Sequence, residues 1–304
     1  MQRESKATQF NAILEVLIRF LLLGCIGVIG YQVFNAWFTL DEIHITNYFF
    51  LVGAVLLFPL NLWLDWRRFY GSVVQHDIPL SVQYHAFTQG IVVSFFTPSL
   101  IATTLGRFGL KDKIHNIKWV GSGIRTGLAQ FVVSMIFAFC GSVSLFGMHR
   151  IGVTFSFAIA GFLALMVYLV KFKIPPCMMR WSIIQHRHHL DSSPNKGLIL
   201  RLSVARYLVF STQFHFILLG FGIPFHVQQV FVLMLSYGLI TLSPSILFGK
   251  IAVRELIAVA VFSAFSYPKE EILFTAFFTW LINVVVPVFL SLIRLTSTWK
   301  PRYF

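Results

Sequence analysis

Apolar runs of about twenty residues, separated by short polar segments, fill most of this chain. A bilayer core about 30 Å thick takes about 20 helical residues. Six runs approach or exceed that length: Ile13 to Phe34, Tyr48 to Leu64, Trp119 to Phe146, Gly152 to Phe172, Leu198 to Gly222 and Ile272 to Leu292. Two more apolar regions are interrupted by proline. Residues 82–110 break at Pro98, in "SFFTPSLIATTLGRFG", and residues 227–265 break at Pro244, in "TLSPSILFGKIAVRE". The pattern predicts an all-α polytopic membrane protein with no separate soluble domain; its longest polar stretch, residues 171–197, reads as a loop.

Cations in short loops mark the cytoplasmic side. Arg3 and Lys6 precede the first run, and Arg67 and Arg68 follow the second. The loop between those runs holds Asp41 and Glu42 and no cation, so it reads as outside. Arg107, Lys111, Lys113 and Lys118 follow the first broken region and again read as cytoplasmic. That region has the cytoplasm at both ends and is too short for two crossings, so it reads as a hairpin that enters and returns. Loop 171–197 is strongly basic and reads as inside, and "SYPKEE" after the second broken region reads as outside if that region also turns back. The last run then delivers Arg294, Lys300 and Arg302 to the cytoplasm. The expectation is about six full spans, two oppositely oriented re-entrant hairpins and both termini inside, the plan of an inverted repeat.

Proline lacks an N–H and clashes with the preceding turn, so a helix stops near it. Thr97 or Ser99 in the first break, and Ser243 or Ser245 in the second, are residues that cap a new helix. Each break would then place a helix N-terminus near mid-membrane, where free N–H groups and positive partial charge suit an anion. Arg107 lies beyond the first break, and Lys250 and Arg254 lie beyond the second. The chemistry these residues describe is a cavity for a phosphate-bearing lipid headgroup. The plainer alternative is two proline kinks, with Arg107 snorkelling to the surface.

Composition narrows the class. Hydrophobic residues make up 57% of the 304 and charged residues 12%, with 34 Phe, and mean hydropathy is +0.77. A soluble domain carries about a quarter charged residues. The net charge of +13 is spread over short loops and forms no basic arm, so it argues for the positive-inside rule and against nucleic acid. Cys25, Cys140 and Cys177 are far apart and are expected as free thiols.

Six stretches carry a resemblance: "FPLNLWLDWRRFY", "GIVVSFFTPSLIATTLGRFG", "GLAQFVV", "RYLVFSTQFHFILLGFGI", "LITLSPSILFGKIAVRELIAVAVF" and "WLINVVVPVFLSLI". In this order, from Phe58 to Ile293, the chain resembles the lysylphosphatidylglycerol synthase transmembrane region family, the flippase-like part of bifunctional lipid-aminoacylating proteins. It looks most like versions from the Bacteroidetes. The resemblance implies a module of the bacterial cell membrane that binds or translocates an anionic lipid. Without the soluble aminoacyl-transferase domain it would not make lysylphosphatidylglycerol. Family members usually carry an arginine two residues after Thr-Pro and a Gly-Glu pair beyond it. Leu100, Ala102 and Thr103 stand at those positions here, while Gly106 and Arg107 remain. In the second motif the Gly-Glu pair is Gly249-Lys250, while Arg254 is kept. The lost carboxylates leave open a more cationic cavity, a changed substrate or lost transport.

The expected headgroup-binding set is therefore Thr97, Pro98, Ser99, Gly106, Arg107, Arg206, Ser243, Pro244, Ser245, Gly249, Lys250 and Arg254. Arg206, inside a predicted span, reads either as a snorkelling residue or as a headgroup contact. Gln130 and Gln213 read as interhelical hydrogen-bonding residues. His186, His188 and His189 sit beside an arginine in a loop and make a poor zinc site. No nucleophile elbow, P-loop or pair of carboxylates marks an enzyme. No cofactor and no metal are expected. The partners are an anionic membrane lipid and no nucleic acid, with room for a homodimer. The competing reading is a non-transporting partner of a lipid- or glycan-synthesising enzyme.

Overall fold

The computed structural model describes residues 45–72, 79–96, 113–147, 151–169, 195–243 and 249–297. The chain divides into two compact units, Met1–Ile45 and Thr46–Phe304, and the second contains almost all the described residues. The predicted span Ile13 to Phe34 and most of loop 171–197 lie outside them.

Apart from short turns and connections, the described residues are helical. In chain order the helices are α1 (Tyr48–Ser72), α2 (Leu80–Phe96), α3 (Lys113–Phe146), α4 (Ile151–Leu169), α5 (Lys196–Gly220), α6 (Val227–Leu242), α7 (Gly249–Ser263), α8 (Lys269–Trp280) and α9 (Val286–Ser297). A π-helical turn, Leu281–Val285, joins α8 to α9. Five stretches are long and apolar enough to cross a membrane: Tyr48–Ser72, Ser122–Phe146, Gly152–Leu169, Lys196–Gly220 and Lys269–Leu295. They match five of the six predicted runs. The protein is an all-α, multi-pass membrane protein.

Helix α5 is the centre of the assembly and packs against α1, α3 and α8. The Asn195 side chain caps its start by accepting from the Leu198 N–H at 3.0 Å. Its far end is pinned to the start of α1: the Thr46 and Asn47 N–H groups donate to the Gly220 carbonyl at 2.9 and 3.1 Å. The chain leaves α5 through Gly222 at φ +81°, where a Cβ would lie 2.6 Å from Thr46 Oγ1. At the cap end, the Tyr168 hydroxyl donates to the Lys196 carbonyl at 2.8 Å, and Lys196 Nζ donates to the Leu169 carbonyl at 2.9 Å. These bonds bring the end of α4 to the start of α5.

The second interrupted region holds two helices that pack on each other, and the residues between them, 244–248, lie outside the described residues. Helix α6 has 16 residues and α7 has 15. At 1.5 Å per residue they are about 24 and 22 Å long, short of the bilayer core. Of the first interrupted region, α2 is described, and the break at Pro98 lies outside the described residues.

Helix α1 runs two turns past the predicted end at Leu64. Arg67 and Arg68, expected in a cytoplasmic loop, are helical instead, and Arg68 is only 2% exposed. Its partners on a neighbouring helix remove the need for water. The π turn also has an identifiable cause. Pro287 cannot donate to the carbonyl of Asn283, four residues back, and its ring would crowd that carbonyl. The ladder widens by one residue, and the Val286 N–H donates to the Leu281 carbonyl.

The main core joins α3, α5, α6, α7 and α8 through Val133, Phe214, Val232, Leu233, Phe262 and Ile272. Helix α4 is apolar all round. It buries Phe157 and exposes Phe155, Ile159, Phe162 and Leu163, a surface suited to acyl chains. Helices α3 and α6 meet through small residues. A Cβ on Gly238 would stand 2.2 Å from the Ala138 Cβ and 2.9 Å from the Phe157 ring, and one on Gly141 would stand 2.7 Å from the Phe231 carbonyl. Close backbone approach of this kind drives helix association in lipid, where the hydrophobic effect between helices is absent.

Gly238→Ala should therefore push α3 and α6 apart and destabilise the detergent-solubilised protein by about 1–3 kcal/mol. Gly152→Ala, on α4 with nothing within 4 Å of the added methyl, should leave the thermal midpoint unchanged in the same assay.

Candidate functional site

Two polar clusters interrupt the apolar interior, one on each flank of α5. The first begins with Asn61, Asp65 and Arg68, spaced four and three apart on α1 and hence on one face. Arg68 lies inside the protein. Its Nη1 donates to Asp65 Oδ1 at 3.4 Å and to Gln130 Oε1 of α3 at 3.0 Å, and its Nη2 donates to the Thr126 carbonyl. Its Nε–H has no acceptor among the described residues. Arg206 of α5 meets the same carboxylate, Nη1 to Asp65 Oδ1 at 3.4 Å, while its Nε donates to Asn61 Oδ1 at 3.2 Å. Asn61 in turn donates to Asn283 Oδ1, and Asn283 Nδ2 donates to the Thr279 carbonyl at 3.0 Å. Asn283 sits in the π turn, a feature that recurs at functional positions.

The charge balance of this cluster is uneven. Among the described residues two guanidiniums share one carboxylate, which leaves a surplus positive charge. Asp65 and the Arg206 side chain are 31% and 30% exposed, whereas Arg68 is enclosed. The arrangement is thus a fixed inner arginine, a shared carboxylate and a partly exposed outer arginine.

The second cluster lies where α5, α6 and α7 meet. Tyr207 and Ser211 are one turn apart on α5. The Tyr207 ring stacks on Phe137 of α3, with centroids 4.3 Å apart, and meets Tyr237 of α6 edge-on at 5.9 Å. Arg254 of α7, half-buried, lies over Phe210 at 5.0 Å, a cation–π contact. It is also close enough to the Tyr237 hydroxyl to interact with it electrostatically. Tyr207 and Tyr237 are 4% and 7% exposed. The hydroxyls of Tyr207, Ser211 and Tyr237 are buried, and they pair within the cluster, Tyr207 with Ser211 and Tyr237 with Arg254. Glu255, next to Arg254, is the nearby carboxylate, and one of its oxygens is buried without a partner among the described residues.

These positions sort the residues expected from sequence. Arg206 and Arg254 each lie in a cluster, held by different partners. Ser243 ends α6: its hydroxyl donates to the Ile240 carbonyl at 3.0 Å and its N–H to the Leu239 carbonyl at 2.9 Å. Gly249 and Lys250 open α7. Thr97, Pro98, Ser99, Gly106, Arg107, Pro244 and Ser245 lie outside the described residues. Gln130 and Gln213 bridge helices as expected. Gln213 donates to the Ala54 carbonyl at 3.0 Å, one residue from the carbonyl that Pro59 of α1 cannot serve. The residues missed are Asn61, Asp65, Arg68, Tyr207, Ser211 and Tyr237. The signal for the first three was their helical spacing within an apolar run.

The family model for the lysylphosphatidylglycerol synthase TM region matches residues 12–291, and the chain belongs to that family. No curated protein and no solved structure matches it.

Removing the shared carboxylate strands a buried guanidinium, which costs more than removing a partly exposed one. Asp65→Asn should lower stability by about 1–3 kcal/mol and Arg206→Ala by less than about 1 kcal/mol, as read by thermal denaturation in detergent. Equal losses would mean that Asp65 does not hold Arg68 in place.

Proposed function

We propose, from its place in the lysylphosphatidylglycerol synthase transmembrane region family, that this chain binds the anionic headgroup of a membrane lipid and carries it between leaflets of the bacterial cell membrane. The observation that carries this reading is the surplus positive charge inside the helices, with Arg206 partly exposed while Arg68 is enclosed. A charge is expensive at membrane depth, and side chains that keep one there mark the paths of charged ligands. A phosphate oxygen brought to Arg206 supplies the negative charge that the cluster lacks. Arg254 supplies a second cation in the α6–α7 hairpin, whose two arms are shorter than a full crossing. The reading takes these hairpin arms as re-entrant, with the headgroup passing between the two arginines and the acyl chains remaining in lipid. Arg107, beyond the first proline break, is assigned to the same path from its place in the sequence.

The test is leaflet exchange of fluorescent phosphatidylglycerol in liposomes reconstituted with the purified protein. Arg206→Ala, Arg254→Ala and Arg107→Ala should each slow exchange by at least about tenfold, the value of a charged hydrogen bond. Exchange at the wild-type rate in all three would overturn the assigned roles. A wild-type protein that exchanges no lipid but co-purifies with a lipid- or glycan-synthesising enzyme would instead identify a non-transporting partner.

A further inference from the structure

The polar chain that reaches Arg206 has two ends whose chemistry is unambiguous. At one end the Thr279 carbonyl can only accept a hydrogen bond, and at the other the Arg206 Nε–H can only donate one. Two asparagine amides lie between them, Asn283 in the π turn and Asn61 on α1. An amide has a donating end and an accepting end, and either can face a given neighbour. Here a single arrangement makes all three bonds. Asn283 gives its Nδ2 to the Thr279 carbonyl at 3.0 Å, which turns its Oδ1 toward Asn61. Asn61 answers with its Nδ2, which turns its own Oδ1 to the Arg206 Nε at 3.2 Å. Reversing either amide would set donor against donor on one side and acceptor against acceptor on the other. Asn61 and Thr279 are buried, so water has little access to replace a lost partner. Arg206 is the partly exposed member of this chain. A guanidinium on a long stem has many rotamers. Tying Nε to Asn61 and Nη1 to Asp65 selects among them and leaves the Nη2 N–H groups without a partner among the described residues.

We propose that Asn283 and Asn61 are positioning residues for Arg206. The π turn sets the direction of two amides, and the amides hold the guanidinium so that its remaining N–H groups are presented to the phosphate oxygens of the headgroup. A donor held in place before the ligand arrives loses less conformational freedom on binding. The inference rests on the function proposed above for the ligand of Arg206; the orientation of Arg206 itself does not depend on it.

The experiment reacts the detergent-purified full chain with phenylglyoxal, which modifies accessible guanidiniums, and reads the rate at each arginine by peptide mass spectrometry. Asn283→Leu nearly keeps the size of the side chain and removes both of its hydrogen-bonding ends. It should raise the rate at Arg206 by about threefold or more and leave exposed Arg201 and enclosed Arg68 unchanged. Asn61→Asp offers an oxygen whichever way it turns, so Arg206 then no longer needs Asn283. Asn61→Asp combined with Asn283→Leu should return Arg206 to the wild-type rate or below. An unchanged rate at Arg206 in Asn283→Leu would overturn the proposal, as would a rate that rises at Arg68 too, since that reports a loosened fold. So would a double variant that reacts as fast as Asn283→Leu alone. In the liposome assay Asn283→Leu should slow exchange by about threefold and have no further effect in Arg206→Ala. A further loss in that background would mean that Asn283 acts through another residue and would also overturn the proposal. Wild-type exchange in Arg206→Ala, or no exchange by the wild-type protein, would remove Arg206 from the headgroup reading, and the labelling rates would still decide whether the two amides orient it.

Discussion

A guanidinium taken out of water must be surrounded by acceptors. In this protein that requirement organises the middle of the fold. Arg68 draws in Asp65 from its own helix and Gln130 and the Thr126 carbonyl from α3. Asp65 then reaches Arg206 on α5, and Arg206 reaches Asn61, which reaches Asn283 in the π turn. Four membrane-embedded elements are thus tied by a single chain of polar contacts. In hydrocarbon the alternative partners for these groups are few, so the contacts fix which faces of the helices meet.

Close packing supplies the remaining specificity. Nothing in lipid drives two apolar helices together as water would. The α3–α6 contact relies on Gly141 and Gly238 to let backbones approach. The aromatic layer between α1 and α2, where Trp66 meets Tyr84 and Phe87 at 5.1 and 5.2 Å, does the same job with bulk and ring geometry. The outer faces, by contrast, carry exposed Phe, Leu and Ile with no partner requirement.

The helical spans were legible because hydropathy and length are local properties of the chain. Five of the predicted runs are helices near their expected bounds, and the bridging roles of Gln130 and Gln213 followed from the cost of polar groups in apolar surroundings. Reading Arg67 and Arg68 as loop residues failed because the positive-inside rule treats cations as surface markers, whereas Arg68 is paid for by partners on α3. Arg254 was marked by the sequence, but its neighbours Tyr207 and Tyr237 were invisible for a different reason. The three come from three helices, and each tyrosine alone reads as core. Pro287 in an apolar run was a visible irregularity, but its consequence depends on which carbonyl it crowds.

That irregularity acts within a single turn. A π turn contains one residue more than an α turn of similar rise. Deleting a residue from 281–285 would let the ladder close as an α turn of the same sweep, so α9 would keep its azimuth while Asn283 and its neighbours in the turn would move. The extra residue therefore lets one helix present Asn283 to the polar chain without turning Val288 and Ser291, 7% and 4% exposed, away from the interior.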